Sequence, residues 1–173
     1  ANGNDVASIY LNNGYLFSQV VPIEKNVQND TIDVEIRIQE GRQATIRKVS
    51  ITGNERTNDH VIYREVRTRP GDLFSKAMIQ RTIRELSQLG YFDQTQIGVN
   101  PVPDPQTGTV DLEYTVVEKS TSQLELQGGW GANRVVGTLG LNFNNFSAKN
   151  IGNKRAWQPL PTGDGQTINI RAQ

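Results

Sequence analysis

Arg47-Lys48-Val49-Ser50-Ile51-Thr52, stopped by the turn pair Gly53-Asn54, opens the stretch around which the chain is organised, Ala44–Lys119. Two helical segments follow, then two strands. The second helix is the clearest. Ser75 stands where an N-cap belongs, Ile79, Ile83 and Leu86 recur at i, i+4 and i+7 as a core stripe, and Gly90 stands where a glycine ends a helix. Lys76, Arg81, Arg84 and Glu85 form its polar remainder. The first helix is expected from about Asn58 to Arg67, with Thr57 as N-cap and Val61, Ile62, Glu65 and Val66 along one edge. After Tyr91-Phe92-Asp93 come a strand over Gln96–Val102, a turn at Asp104-Pro105-Gln106-Thr107-Gly108 and a strand over Val110–Val117. Val110, Leu112, Tyr114 and Val116 alternate there with Asp111, Glu113 and Thr115, the pattern of a half-buried strand. The order β-α-α-β-β predicts an α+β module, a three-stranded sheet with two helices on one face. It is small, so only modestly stable alone.

Part of this module occurs twice. Gly14-Tyr15 answers Gly90-Tyr91, and Thr31-Ile32-Asp33-Val34-Glu35 answers Thr109-Val110-Asp111-Leu112-Glu113. A repeat of this length predicts an array of domains. Residues 1–43 then hold the second half of one module: a helix capped by Asp5 or Asn4 with Val6, Ile9, Tyr10 and Asn13 on its face, a strand over Phe17–Val27, a turn at Asn29-Asp30, and an alternating strand through Ile32, Val34, Ile36 and Ile38. The opening strand and first helix are not in this copy, and the expectation is a cut chain. Glu40-Gly41-Arg42 is a short linker that restricts the orientation of neighbouring modules.

Residues 120–173 lose the helical spacing and gain glycine. Leu124, Leu126, Gly128 and Trp130 alternate with Gln123, Glu125 and Gln127. Val135–Asn144 and Gln166–Gln173 repeat the pattern. Strands of about ten residues, apolar on one face and polar with glycine on the other, fit a transmembrane β-barrel. Three such strands cannot close, and an open edge in lipid leaves backbone groups unpaired. By itself this segment is expected to be irregular, paired with another copy, or held by further strands. Trp130 and Trp157 suit an aromatic girdle, although ordinary packing accounts for Trp157 equally well.

Lys+Arg and Asp+Glu balance at 18 each, so no global charge points to nucleic acid or an acidic membrane. Cysteine is absent, which removes disulfides, thiol catalysis and cysteine metal sites. No apolar run is long enough for a membrane helix. The one histidine, His60, reads as a surface residue, and no serine lies in a nucleophile elbow. No ligand spacing suggests a metal. Gly128-Gly129-Trp130-Gly131 is not followed by the Lys-Ser/Thr of a phosphate loop. Neither a catalytic residue nor a cofactor is expected.

The order β-α-α-β-β, Leu89-Gly90-Tyr91-Phe92-Asp93, Val49-Ser50-Ile51-Thr52-Gly53-Asn54 and Arg69-Pro70-Gly71-Asp72 resemble a POTRA domain. Tandem POTRA domains followed by a β-barrel resemble the BamA family of outer-membrane assembly factors. The resemblance implies three parts: 1–43, the end of one POTRA domain; 44–119, the membrane-proximal POTRA domain; and 120–173, the first strands of an incomplete barrel. It also implies a Gram-negative outer membrane with the POTRA domains in the periplasm. The partners implied are unfolded β-barrel clients, accessory outer-membrane lipoproteins, periplasmic chaperones and outer-membrane lipid, but no nucleic acid. Asn144–Asn153 is similar to the turn after the second barrel strand of that family, with Ala148-Lys149 departing from its glycine-rich form.

Three groups of site residues are expected. Pro22, Pro101, Pro103 and Pro105 place their strands at sheet edges or end them. Such prolines blunt an edge against aggregation; alternatively Val21 and Ile23, and Gln96, Ile97 and Val99, keep a usable edge for a client strand. Leu124, Leu126, Gly128, Gly129, Trp130 and Gly131 belong to the barrel's first strand, the seam at which the family is thought to add client strands. Arg64, Arg67, Arg69, Arg81 and Arg84 form a solvated face or contact head groups or a partner subunit. Two other functions stay open: a POTRA–barrel protein that secretes or translocates polypeptide, as in two-partner secretion or TamA-like proteins, and a soluble binding module.

Overall fold

The computed structural model describes residues 5–28, 31–120, 122–131, 134–157 and 160–172. Asn4 as a helix cap, the turn at Asn29-Asp30 and the final Gln173 fall outside them. In order the elements are α1 (Val6–Asn12), β1 (Gln19–Gln28), β2 (Thr31–Gln39), β3 (Thr45–Thr52), α2 (Asp59–Tyr63), α3 (Lys76–Gln88), β4 (Gly98–Asp104), β5 (Thr109–Thr115), β6 (Ser122–Gly131), β7 (Arg134–Phe146) and β8 (Gln166–Ala172). They form three open sheets, β1-β2, β3-β5-β4 and β6-β7-β8. The fold is α+β, with no closed barrel among the described residues. Two compact units divide it: Ala1–Ser50, Val66–Arg84 and Gly98–Tyr114 in one; Ile51–Glu65, Glu85–Ile97 and Thr115–Gln173 in the other.

In the first unit, the Asp5 carboxylate accepts from Ser8 N at 2.7 Å and starts α1. The apolar face expected of this helix is corrected: Ser8 is its buried residue and Ile9 is exposed. Lys76 Nζ donates to Ser8 Oγ at 3.2 Å, which satisfies the hydroxyl. Asn12 Oδ1 accepts from Ala77 N at 2.8 Å, so one repeat supplies a cap to the helix of the next. β1 and β2 pair antiparallel, with Pro22 opposite Ile36 and a register shift between Glu24 and Asn26. The core of the unit is Ala44, Ile46, Phe74, Ile79, Val110, Leu112 and Tyr114. Ile83 is only half-buried, while the neighbouring Thr82 is fully buried. Thr82 Oγ1 accepts from Arg67 N at 3.0 Å and donates to Met78 O at 3.0 Å. Tyr114 Oη and Thr68 Oγ1 lie 2.9 Å apart in the same interior. Burial pushes the Tyr114 phenol up, against the hydrogen bonds from Thr68 and Thr82. β4 is the edge strand its prolines require, with β5 between it and β3.

In the second unit, Gly53 turns the chain at φ +90°, where an added Cβ would stand 1.9 Å from Val116 O. The Glu118 carboxylate accepts from Arg56 N at 3.0 Å and Thr57 N at 2.6 Å. The helix expected over 58–67 is corrected to five residues, Asp59–Tyr63, with Asn58 rather than Thr57 at the N-cap. Thr57 is buried instead. Arg67 N, which a longer helix would aim at Tyr63 O, is taken by Thr82. The strand expected from Gln96 is also corrected. Gln94–Gln96 is a turn of 3₁₀ helix capped by Asp93, whose carboxylate accepts from Gln96 Nε2 at 2.8 Å, Thr95 Oγ1 at 2.7 Å and Thr95 N at 3.0 Å. Those bonds hold the Asp93 carboxyl below the usual range.

Of the alternatives expected for 120–173, irregularity is corrected for the described residues 122–131, 134–146 and 166–172, which are strands. β6, β7 and β8 form an antiparallel meander with Leu124 opposite Leu141 opposite Ile170, and Leu126 opposite Leu139 opposite Ala172. These cross-strand apolar rows are the unit of sheet stabilisation, so the register follows from the alternation of the sequence.

Candidate functional site: edges, seam strand and a loop clamp

Of the residues expected on client-binding edges, Val21 and Ile23 lie on β1, where with Gln19, Arg37, Ile38 and Gln39 they line a shallow concavity. Val99 lies on β4. Gln96 and Ile97 are on no strand: Gln96 ends the 3₁₀ turn and Ile97 follows it. Leu124, Leu126, Gly128, Gly129, Trp130 and Gly131 all lie on β6, an outer strand of its sheet. Leu124 and Leu126 are exposed, and Trp130 is 91% exposed. A Cβ added at Gly128 or Gly129 meets nothing within 4 Å. The five arginines are exposed. Arg64 follows α2 and pairs with Glu65 at 3.0 Å; Arg67 and Arg69 lie on the segment after it, and Arg81 and Arg84 on α3. Trp157 is half-exposed and Nε1 donates to Ile151 O at 3.2 Å. His60 is exposed, with Nε2 3.8 Å from Asp164 Oδ1.

A cluster not read from the sequence holds the loop between β7 and β8. Asn145 is its centre, 5% exposed and at φ 65°, the one described non-glycine residue with positive φ. Asparagine tolerates that conformation better than most residues. Asn145 Nδ2 donates to Thr57 Oγ1 at 2.9 Å, and Asn145 Oδ1 accepts from Gly165 N at 2.9 Å. Its backbone carbonyl accepts from Gly163 N at 2.8 Å. Asn58 N donates to Gly163 O at 3.0 Å, and Tyr91 Oη to Gly165 O at 3.0 Å. Asp164, with its side chain 7% exposed, accepts from Ser147 Oγ at 2.7 Å and Asn58 Nδ2 at 2.8 Å. The Ser147 hydrogen bond, with that of Asn58, holds its carboxyl below the usual range against the effect of burial. The loop is thus fastened to the segment before α2 and to Tyr91 through buried, paired polar groups, which is the condition for such groups to stabilise rather than cost. The legible signal was the pair Asn144-Asn145 with Gly163 and Gly165, residues that favour left-handed turns. Their partners Thr57, Asn58 and Tyr91 lie more than 70 residues away in sequence.

The POTRA family, described as a surface antigen variable number repeat, matches residues 44–119. The outer membrane protein assembly factor BamA of Neisseria meningitidis serogroup B is 34% identical over 121 residues, 68% of this chain and 15% of that protein. BamA of Neorickettsia risticii is 33% identical over 146 residues, 84% of this chain and 19% of that protein. The crystal structure of BamA from Haemophilus ducreyi lacking POTRA domains 1–3 superposes with a TM-score of 0.72 at 22% identity, over 95% of this chain and 29% of that one, and so shares the fold. A POTRA domain followed by an open three-stranded antiparallel sheet defines the class. Within it, the chain belongs to the BamA family of outer-membrane protein assembly factors. Its location is that of the family, the outer membrane with POTRA domains in the periplasm. The chain spans less than a fifth of the length of these two curated relatives.

Proposed function

We propose that the chain serves an assembly factor that receives unfolded β-barrel clients in the periplasm and helps fold and insert them into the outer membrane. One observation carries the reading: β6 is an outer strand of an open sheet, and its end is Gly128-Gly129-Trp130-Gly131. Strand addition uses main-chain hydrogen bonds, which tolerate many client sequences. Glycines weaken the strand's own packing and suit a seam that opens. Accessory lipoproteins, periplasmic chaperones and outer-membrane lipid are the further partners of this reading, with the exposed arginines as contacts.

The POTRA edges differ in what they offer. Pro101 and Pro103 are two residues apart and so present their backbones to the same side of β4. Only the outward side tolerates a missing N–H. That side therefore presents carbonyls from both prolines, and Val99 supplies the N–H. β1 carries one proline and is the better edge for a client.

Valine at Gly128 and Gly129 of the complete protein tests the seam. Both positions have room for an added Cβ, and far-UV circular dichroism of the variants checks that they still fold. Impaired client insertion in reconstituted vesicles is expected; unchanged insertion overturns the reading.

A further inference from the structure

We propose that the loop between β7 and β8 is a docking surface for anionic phospholipid head groups, an inference that rests on reading β6–β8 as membrane strands. Charge is the first observation. No acidic residue occurs between Glu125 and Asp164, whereas Lys149, Lys154 and Arg155 fall within the loop of a chain that is neutral overall. All three cations are exposed, and none lies within 4 Å of a carboxylate among the described residues. The loop's own acid, Asp164, is turned inward onto Ser147 and Asn58. It faces Lys149 and His60 at longer range.

Shape is the second observation. The loop has an inner and an outer side. Asn145, Ser147 and Ala156 are buried, while Ile151 is 58% and Trp157 43% exposed among the cations. The hydrogen bond from Trp157 Nε1 to Ile151 O keeps the indole beside the isoleucine. Apolar and aromatic groups ringed by Lys and Arg are what an interface between hydrocarbon and head groups selects. The long cationic side chains reach the phosphates while the apolar pair enters below them. Free phosphate would give Ile151 and Trp157 nothing to contact.

Position and rigidity complete the case. The loop leaves the sheet at Phe146 opposite Gln166, one end of the apolar rows, where a membrane strand meets head groups. Two turns of 3₁₀ helix, Lys149–Gly152 and Lys154–Ala156, and the bonds around Asn145 set it in place, so docking orders little chain.

The test uses the 173-residue chain with Trp130→Phe, which leaves Trp157 as the sole tryptophan. It is added to vesicles of phosphatidylcholine alone or with phosphatidylglycerol. A blue shift and loss of quenching by iodide are expected with phosphatidylglycerol, reversed by salt. Each cation near an anionic surface is worth about fivefold in partition. K149Q, K154Q and R155Q together therefore weaken binding roughly 100-fold, with the protection of the Gly165 amide unchanged. Equal binding by the triple variant overturns the proposal. So does equal binding to both vesicles, which leaves the membrane reading of β6–β8 intact. No binding to either vesicle overturns both. A Trp157 response to glycerol 3-phosphate equal to that on vesicles also overturns it.

Discussion

Asn145→Ala should release the loop between β7 and β8. The substitution leaves the buried Thr57 hydroxyl and the half-buried Gly165 N–H without the partners seen at 2.9 Å. Each orphaned group costs about 1–3 kcal/mol. Alanine at φ 65° adds about 1 kcal/mol. Taking the low end for each group, local opening becomes easier by about 3 kcal/mol, roughly 150-fold in the opening constant. Amide exchange by NMR reads this directly at Gly163, Gly165 and Asn58, whose N–H groups donate to Asn145 O, Asn145 Oδ1 and Gly163 O. Asn145→Gly removes the same side chain without the backbone strain, so it should lose about fivefold less protection than Asn145→Ala. Exchange at Gly165 unchanged from the parent in both variants would refute the clamp. Equal loss in both would refute the strain component alone.

Gly53→Ala meets Val116 O at 1.9 Å as well as positive φ, and should cost about 3 kcal/mol or more in chemical denaturation. Gly71→Ala, with φ +96° and open space around its Cβ, should cost only about 1–2 kcal/mol. Tyr114→Phe removes the partner of Thr68 Oγ1 in the interior and should cost about 1–2 kcal/mol by the same assay. Asp164, with its folded pKa depressed, contributes stability above its unfolded value of about 4 and loses it as pH falls through the folded value. Acid titration followed by Trp157 fluorescence should show the loop loosening below about pH 4. Asp164→Asn should flatten that transition.

Short-range information was enough for much of this molecule. Alternation fixed β5 and the three strands β6–β8, because with a side-chain period of two only one register puts Leu124, Leu141 and Ile170 in a row. Prolines placed β4 at an edge since they cannot donate to a ladder. Ser75 and Gly90 bracketed α3 through backbone groups that need caps. The errors share a cause. Ile83 was expected in the core stripe of α3, yet Thr82 beside it is the fully buried residue, because Arg67 N and Met78 O are both in its reach. That same bond ended α2 early. Asp93 turned Gln94–Gln96 into a helix by accepting three hydrogen bonds at once. β6, proposed as the seam, was legible as a strand. The clamp was not, because Thr57, Asn58, Asn145 and Asp164 are separated by up to about a hundred residues. By itself the sequence determined the order β-α-α-β-β and the strands whose apolar residues alternate, β5 to β8, since these depend on periods of a few residues. Tertiary structure alone decided which polar side chains are buried, because a hydrogen-bond partner distant in sequence makes burial of such a group affordable.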